Sequence, residues 1–280
     1  MGERENATAE ALALGGAVHE SLEEFFVKLK EGYEWEVGEA VEMIDANIEF
    51  ADVPWLSEEN KEISLEQHEG MMEKLVKKKN NLAEFMEDKE VVANEKEFVY
   101  KVDLPFSVIF GEECYDELFI IGSIDMIVKD KDGNLIVIDF KTSKKVFDNS
   151  KIKKNLQLPI YSLVVEDVYG RLPKDVVYYF TRLDEFQHGD PIVRKEDKSK
   201  RILFKSGKRK GQIRYKQKTC DEVLEELTRI FKLQYATGMN AYKSKSSALC
   251  SWCPHGFYEK HDCKYAQRFI RKDLDMPLGR

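Results

Sequence analysis

The stretch Ile120-Ile-Gly-Ser-Ile-Asp-Met-Ile-Val-Lys-Asp-Lys-Asp-Gly-Asn-Leu-Ile-Val-Ile-Asp-Phe-Lys141 decides the fold. The β-branched and apolar runs Leu118–Val128 and Leu135–Phe140 have the composition of strands. Between them, Asp130-Lys-Asp-Gly-Asn134 has the composition of a hairpin turn. The two strands are therefore predicted to be antiparallel neighbours.

Three charged side chains are predicted to meet at one end of this hairpin. A hairpin centred near Gly133 pairs residues whose numbers sum to about 264 to 266, which sets Asp125 opposite Asp139 or Phe140. Residues two apart in a strand point the same way, so Lys141 shares a face with Asp139. Two carboxylates this close repel each other unless a hard cation such as Mg²⁺ lies between them. Lys141 is then placed to orient or deprotonate an attacking water.

A chance run of charges at a strand end is the alternative explanation for Asp139 and Lys141, because both residue types are common there. The apolar context of the strand argues against it. The residues before Asp139 are apolar and are predicted to be buried on both faces, so a charge at that point is costly unless it has a function.

The remaining sequence predicts helices around the hairpin. An amphipathic helix over residues 8–30 is indicated by the helical spacing of Leu12, Val18, Leu22, Phe25, Phe26 and Leu29. Residues 36–90 predict further helices, interrupted near Pro54. The other predicted elements are a strand over Glu97–Val102, a helix over 151–169 kinked at Pro159, a strand over Val176–Thr181 and a helix over Cys220–Ala236. The predicted fold class is α/β, with a central mixed sheet, an N-terminal helical layer and a cysteine-bearing C-terminal tail.

Five motifs, in order, resemble those of RecB-type nucleases in the PD-(D/E)XK superfamily. Gly122-Ser-Ile-Asp125 and Asp139-Phe-Lys-Thr-Ser-Lys144 look like the second and third motifs of that branch. Gly15-Gly-Ala-Val-His19 resembles its histidine motif, and Gln157-Leu-Pro-Ile-Tyr161 resembles its helix motif. Glu95 or Glu97 occupies the place of an acidic residue that the family often carries.

The resemblance implies a restriction-endonuclease-like fold and a set of site residues. The implied catalytic residues are Asp125, Asp139, Lys141, Gln157 and Tyr161. The implied ligands of a Mg²⁺ or Mn²⁺ ion are His19, Asp125, Asp139 and the backbone carbonyl of Phe140. The i, i+4 spacing puts Gln157 and Tyr161 on one helix face, within reach of one phosphate or of the Lys141 amine. An aromatic core residue is the alternative interpretation of Tyr161. Without the motif order, His19 would be read as an ordinary core or surface residue of a helix.

A cysteine cluster near the C-terminus predicts a second metal site. Cys250-Ser-Trp-Cys253 brings two thiolates close enough to bind one soft ion, and Cys263 follows. Many RecB-type nucleases hold a [4Fe–4S] cluster on three such cysteines and a fourth one upstream of the histidine motif. This sequence departs from that pattern, because no cysteine precedes His19 and the interval from Cys253 to Cys263 is longer than usual. An iron–sulfur cluster, a zinc ion and the loss of any metal all stay open, and an absent upstream segment or His255, His261 or Cys114 would supply the missing ligand.

The charge of the chain is segregated along its length. The net charge is −8, yet Arg194–Lys218 holds twelve Lys and Arg residues against Glu196 and Asp197, so this segment carries +10 and the remainder −18. An acidic protein with such a basic stretch can bind DNA locally. A solvated lysine-rich loop is the alternative interpretation of the segment.

Composition also predicts where the protein works. The sequence contains no apolar stretch of the roughly 18 to 20 residues that a membrane helix needs, and its N-terminus lacks the regions of a signal peptide. The five cysteines do not form the even framework of a small secreted protein. A soluble cytoplasmic protein, encoded by a bacterium or phage and without a membrane partner, is expected.

These observations together predict a metal-dependent DNA nuclease, with an exonuclease favoured, in recombination, repair or phage DNA metabolism. The predicted nuclease domain covers residues 1–242, with a helical layer at about 8–90, a catalytic core at about 91–181 and the basic segment at 194–218, and the cysteine tail covers 243–280. By resemblance, a helicase or recombination protein is an expected partner. The alternatives are a catalytically silent DNA-binding or scaffolding subunit of a recombination complex and a nuclease directed at RNA.

Overall fold

The computed structural model describes residues 3–110, 113–194 and 218–236. In these residues a mixed sheet has helices packed on both of its faces. The sheet has five strands in chain order within these residues, namely β1 Lys89–Phe110, β2 Glu113–Asp130, β3 Leu135–Lys141, β4 Asp175–Phe180 and β5 Glu185–His188. Only β3 and β4 pair in parallel. The helices are α1 Glu3–Lys30, α2 Val37–Phe50, α3 Glu58–Val76, α4 Asn81–Met86, α5 Asn149–Lys154, α6 Gln157–Tyr169 and α7 Cys220–Ala236. The predicted α/β class with a mixed sheet is confirmed.

The β2–β3 hairpin has the predicted register. Its pairs run from Met126 opposite Ile138 to Lys129 opposite Leu135. Gly133 has φ +81, and the Gly133 N–H donates a 2.8 Å hydrogen bond to the Asp130 carbonyl. Glycine enters this left-handed region without steric cost, which explains its place in the turn. The turn therefore fixes which residues of the two strands face each other.

Strand β1 is much longer than the predicted Glu97–Val102, because it pairs with β2 along most of its length. At the middle of this ribbon the Phe98 ring lies over Gly122 on the neighbouring strand. A Cβ added at Gly122 would come within 2.9 Å of Phe98 Cζ. Gly122 is thus required by close packing of a rigid aromatic ring, since any side chain there would displace it.

The N-terminal helices cover one face of the sheet. Helix α1 buries Leu14, Val18, Leu22 and Phe26 in a core shared with α2, α3 and the sheet residues Met126, Ile138 and Phe140. Two of the predicted core positions are wrong, because Leu12 is 57% exposed and Leu29 is 47% exposed. Leu12 lies off the i, i+3, i+4 stripe of the buried residues, and Leu29 lies in the last turn of the helix.

The predicted kinked helix over 151–169 is instead two helices, α5 and α6, separated at Asn155 and Leu156. The ring of a proline clashes with the carbonyl four residues earlier, which for Pro159 is that of Asn155. Pro159 is the third residue of α6, where the backbone needs no N–H donor. The side chain of Asn155 caps the first turn of α6 by accepting a 2.8 Å hydrogen bond from the Gln157 N–H. Helix α6 packs on the other face of the sheet.

Several further predictions can be compared with the structure. The helices of residues 36–90 are confirmed, with the interval between α2 and α3 spanning Pro54. Strand β4 confirms the predicted strand Val176–Thr181, although it begins and ends one residue earlier. Helix α7 confirms the predicted helix Cys220–Ala236. Most of the basic segment 194–218 and the whole cysteine tail lie outside the described residues. In the described part of the chain, no helix combines the length and apolar composition needed to cross a bilayer.

Candidate active site

Three carboxylates form a row across the centre of the sheet. In the β1–β2 pairing, Asn94 lies opposite Met126 and Lys96 lies opposite Ile124. The residues between these two pairs, Glu95 and Asp125, therefore face each other. The β2–β3 register, continued by one residue from the pair Met126 and Ile138, sets Asp125 opposite Asp139. The structure therefore brings Asp125 and Asp139 together as the sequence predicted, and adds Glu95 to the same row.

The two central carboxyl groups are withdrawn from solvent. Asp139 is fully buried and Asp125 is nearly so. Burial, which disfavours the charged form, raises the pKa of both carboxyl groups, and the proximity of Asp125 raises that of Asp139 further. A cation in this position would offset the cost of holding both carboxylates ionised.

Lys141 provides one positive charge at the site through an ion pair with Asp139. Apart from this contact, neither carboxylate oxygen of Asp139 has a hydrogen-bond partner in the part of the chain that the structure describes. The Lys141 Nζ also lies 5.8 Å from the centre of the Tyr178 ring, on the strand beyond Asp139. Buried oxygens without donors are unusual, and a metal ion is one partner that would satisfy them.

His19 reaches the site from α1. Its Nε2 lies 3.0 Å from the Phe140 carbonyl oxygen, and because a carbonyl only accepts, Nε2 carries the proton. Burial, the largest influence, lowers the pKa of His19 and favours the neutral ring. The unprotonated Nδ1 then faces two acids, at 3.5 Å from Asp125 Oδ2 and 4.0 Å from Glu95 Oε1. A lone pair directed at carboxylates is unfavourable unless a cation lies among them.

Ligand atoms of His19, Glu95 and Asp125 lie within 4.8 Å of one another, which suits a single metal ion. Carboxylate oxygens are the donors that suit Mn²⁺ and Mg²⁺, and neutral imidazole is a common ligand of metal ions in general. The metal ligands predicted from the sequence differ from this group, because they include Asp139 and the Phe140 carbonyl and do not include Glu95. In the structure Asp139 contacts Lys141 and the Phe140 carbonyl accepts from His19. The residues present therefore fit a divalent metal ion.

A family model of the PD-(D/E)XK nuclease superfamily matches residues 1–257. The chain belongs to this superfamily. It is therefore a nuclease of a family that uses divalent metal ions, and the five-stranded mixed sheet agrees with the fold of that family. A comparison with curated proteins gave no match.

Two hydrogen bonds hold the acids of this nuclease in place. Asp125 Oδ2 accepts a 2.6 Å hydrogen bond from the Phe140 N–H, which ties β2 to the end of β3. Ser123 Oγ donates a 2.8 Å hydrogen bond to Glu95 Oε2. No role of its own was predicted for Ser123 from the sequence, and no local pattern would have located it beside Glu95, because this contact depends on the register of β1 against β2.

Gln157 and Tyr161 of the nuclease contact each other on α6. Gln157 Nε2 donates a 3.0 Å hydrogen bond to the Tyr161 hydroxyl. Tyr161 is buried and packs edge to face against Phe98, so the core interpretation of this residue is partly correct. Burial raises the pKa of Tyr161, and Asp139 and Asp125 raise it further. Tyr161 therefore keeps its proton, and because its oxygen already accepts from Gln157, the hydroxyl proton is free to be donated. Contact of this pair with a phosphate or with the Lys141 amine stays a prediction.

The structure favours Glu95 over Glu97 as the acidic residue of β1. Glu97 is exposed, whereas Glu95 faces His19 and Asp125. We predict that Glu95→Gln lowers the affinity of the nuclease for Mn²⁺ by at least about tenfold, because a partly buried acidic partner of the metal is lost. The measurement is the midpoint of cleavage activity in a Mn²⁺ titration. Glu97→Gln is the matched control and should keep the wild-type midpoint; the assignment fails if the two variants shift it equally.

Proposed function

We propose that this chain is a Mg²⁺- or Mn²⁺-dependent deoxyribonuclease of the RecB type that degrades DNA from an end. The observation that carries the proposal is the row of Glu95, Asp125 and Asp139, with His19 and Lys141 at its edges. Such a concentration of acidic groups in a buried position is costly without a cation, and phosphodiester hydrolysis is the chemistry that a metal, a lysine and a nearby tyrosine support together.

His19, Glu95 and Asp125 would hold the metal ion, and Asp139 and the Phe140 carbonyl remain proposed ligands. When bound, the metal supplies Lewis acidity toward a phosphate oxygen and acidifies a water molecule. Lys141 counters negative charge next to Asp139 and is placed to orient the attacking water. Tyr161, kept protonated and oriented by Gln157, would donate a hydrogen bond to a non-bridging phosphate oxygen.

Cleavage of end-labelled linear DNA and closed circular DNA of the same sequence tests this function. We expect linear DNA to be degraded in Mg²⁺ or Mn²⁺, closed circles to persist, and EDTA to stop the reaction. Cleaved circles would instead establish an endonuclease. Binding without cleavage of either substrate would favour a silent DNA-binding or scaffolding subunit, and preferential loss of a matched RNA would favour the RNA-directed alternative.

The proposed cellular role is recombination, repair or phage DNA metabolism in the cytoplasm of a bacterium. A helicase or recombination protein is the proposed partner by resemblance to the RecB type. The sequence itself contains no Gly-x-x-x-x-Gly-Lys-Ser/Thr loop. Residues 1–242 are the proposed nuclease domain. Cys250, Cys253 and Cys263 of the tail are proposed ligands of a structural iron–sulfur cluster or zinc ion.

A further inference from the structure

A second basic region lies beside the active site and is distinct from the segment 194–218. The segment from Lys141 to Lys154, both included, holds six lysines and one aspartate, a local charge of +5 in a chain of net charge −8. We name five of them the lysine arc, which consists of Lys144, Lys145, Lys151, Lys153 and Lys154. All five are exposed. The aspartate, Asp148, is engaged as the N-cap of α5, where its Oδ1 accepts from the Ser150 and Lys151 N–H groups.

The lysines of the arc form no ion pairs in the part of the chain that the structure describes. Within residues 3–110, 113–194 and 218–236, no acidic side chain forms an ion pair with any of the five. Lysines on other surfaces of the same chain do form such pairs, including Lys28 with Glu24 at 2.6 Å and Lys129 with Glu90 at 2.6 Å. The arc therefore presents a net positive field, which attracts an anionic partner.

The segment that carries the arc is fixed to the core. Phe147 is buried against Tyr178 and Phe180, with ring centres 5.0 and 5.2 Å apart. The side chain of Gln187 accepts from the Phe147 N–H at 3.0 Å and donates to the Phe147 carbonyl at 2.7 Å. Lys151 lies on the outer side of the same ring, with its Nζ 3.5 Å from the ring centre. These contacts hold the basic surface in one position relative to β4.

The same aromatic rings connect the arc with the catalytic lysine. The Tyr178 ring contacts both the Phe147 ring and the Lys141 ammonium group. The distances from Lys141 Nζ to the Tyr178 ring, from that ring to the Phe147 ring, and from the Phe147 ring to Lys151 Nζ are 5.8, 5.0 and 3.5 Å. The two ammonium groups are therefore at most about 14 Å apart, the length of roughly four nucleotides of one DNA strand at about 3.4 Å each. A nucleic-acid strand with its scissile phosphate at Lys141 can therefore extend directly over the arc.

The geometry points to the lysine arc as the surface that binds the phosphates of the DNA substrate adjacent to the scissile one. This inference rests on the proposed function for the identity of the substrate. The arc positions the strand by charge and reads no sequence, since lysine ammonium groups contact phosphates as point charges. A neighbouring cavity that Lys153 and Tyr178 line also contains Asp190, so we place the strand on the exposed arc and not in the cavity.

The salt dependence of DNA binding tests the inference. Fluorescein-labelled duplex DNA is titrated with the full chain in EDTA, where cleavage cannot obscure binding, at several salt concentrations. The test variant is Lys144→Gln/Lys153→Gln/Lys154→Gln, which leaves Lys151 on the Phe147 ring. Loss of three phosphate contacts should flatten the slope of log K against log salt by about 2 to 3.

A matched control changes the same charge on the other face of the sheet. Lys74, Lys78 and Lys79 are exposed at the end of α3, whose buried residues belong to the core on the α1 side. Lys74→Gln/Lys78→Gln/Lys79→Gln should keep the wild-type slope. An unchanged slope in the arc variant, an equal change in the control, or no binding of DNA by the wild type would overturn the inference. Binding through the arc without any cleavage would overturn only the proposed function, and cleavage with an unchanged slope only the inference.

Discussion

Asp125→Asn, Asp139→Asn and Lys141→Ala should each reduce the rate of DNA cleavage by on the order of a thousandfold or more. The first two variants keep the shape of the side chain and remove a negative charge from the buried row. The third removes the ion-pair partner of Asp139. End-labelled linear DNA at saturating Mn²⁺ is the assay, so that weaker metal binding alone does not explain the loss.

The stability of these variants separates catalysis from folding. Because burial raises the pKa of Asp125 and Asp139, their ionised forms cost folding free energy in the absence of metal, and the cost grows as the pH rises. We therefore expect each Asp→Asn variant to be at least as stable as the wild type in EDTA. Lys141→Ala should be less stable, since it leaves Asp139 buried without a cation.

Controls for this set lie in the turn of the same hairpin. Asp132→Asn and Lys131→Ala make the same chemical changes at exposed positions and should cleave at the wild-type rate. If Asp125→Asn, Asp139→Asn or Lys141→Ala retained that rate, the corresponding residue would have no catalytic role. Loss of activity in the turn variants would show that the assay responds to general effects of charge.

The largest effect expected on stability comes from His68, which is fully buried on α3. Burial lowers its pKa from 6.5 to about 4, and the Nδ1 atom lies 2.7 Å from the Ser64 carbonyl oxygen while Nε2 has no partner in the described chain. Between pH 6.5 and about pH 4, the His68 ring binds a proton in the unfolded chain but not in the folded chain. Stability from this group is therefore complete above pH 6.5 and is lost as the pH falls toward 4, by about 3 kcal/mol in total.

Urea unfolding of the wild type and of His68→Phe at several pH values tests this expectation. Phenylalanine keeps the ring and removes the titrating group, so the difference in unfolding free energy between the two proteins should change by about 3 kcal/mol across the window. Taking the difference cancels the contributions of Asp125 and Asp139, which have the opposite sign. His188→Gln is the control, because His188 is exposed and its pKa is raised, chiefly by its hydrogen bond to Asp175. A difference independent of pH would contradict the assignment.

Local patterns in the sequence determined the centre of the nuclease. The turn around Gly133 and the two-residue period of strands set Asp125 opposite Asp139 and put Lys141 beside it. The i, i+4 spacing of Gln157 and Tyr161 likewise predicted a contact that the structure contains. Both predictions depend on neighbours in sequence, for which backbone geometry leaves few arrangements.

The break before α6 was also encoded locally, although the sequence prediction placed it at the wrong residue. A kink was expected at Pro159 itself, but the steric conflict of proline lies with the carbonyl four residues earlier. That conflict ends α5 before Asn155 and lets α6 restart after it.

Tertiary structure alone decided which partners surround the acidic row. The register of β1 against β2 set Glu95, and not Glu97, opposite Asp125, and the packing of α1 brought His19 to the Phe140 carbonyl 121 residues away. The parallel pairing of β3 with β4 placed Tyr178 beside Lys141 and anchored the lysine arc through Phe147. These contacts join residues distant in sequence, and their geometry follows from how the whole core packs, which no local period specifies.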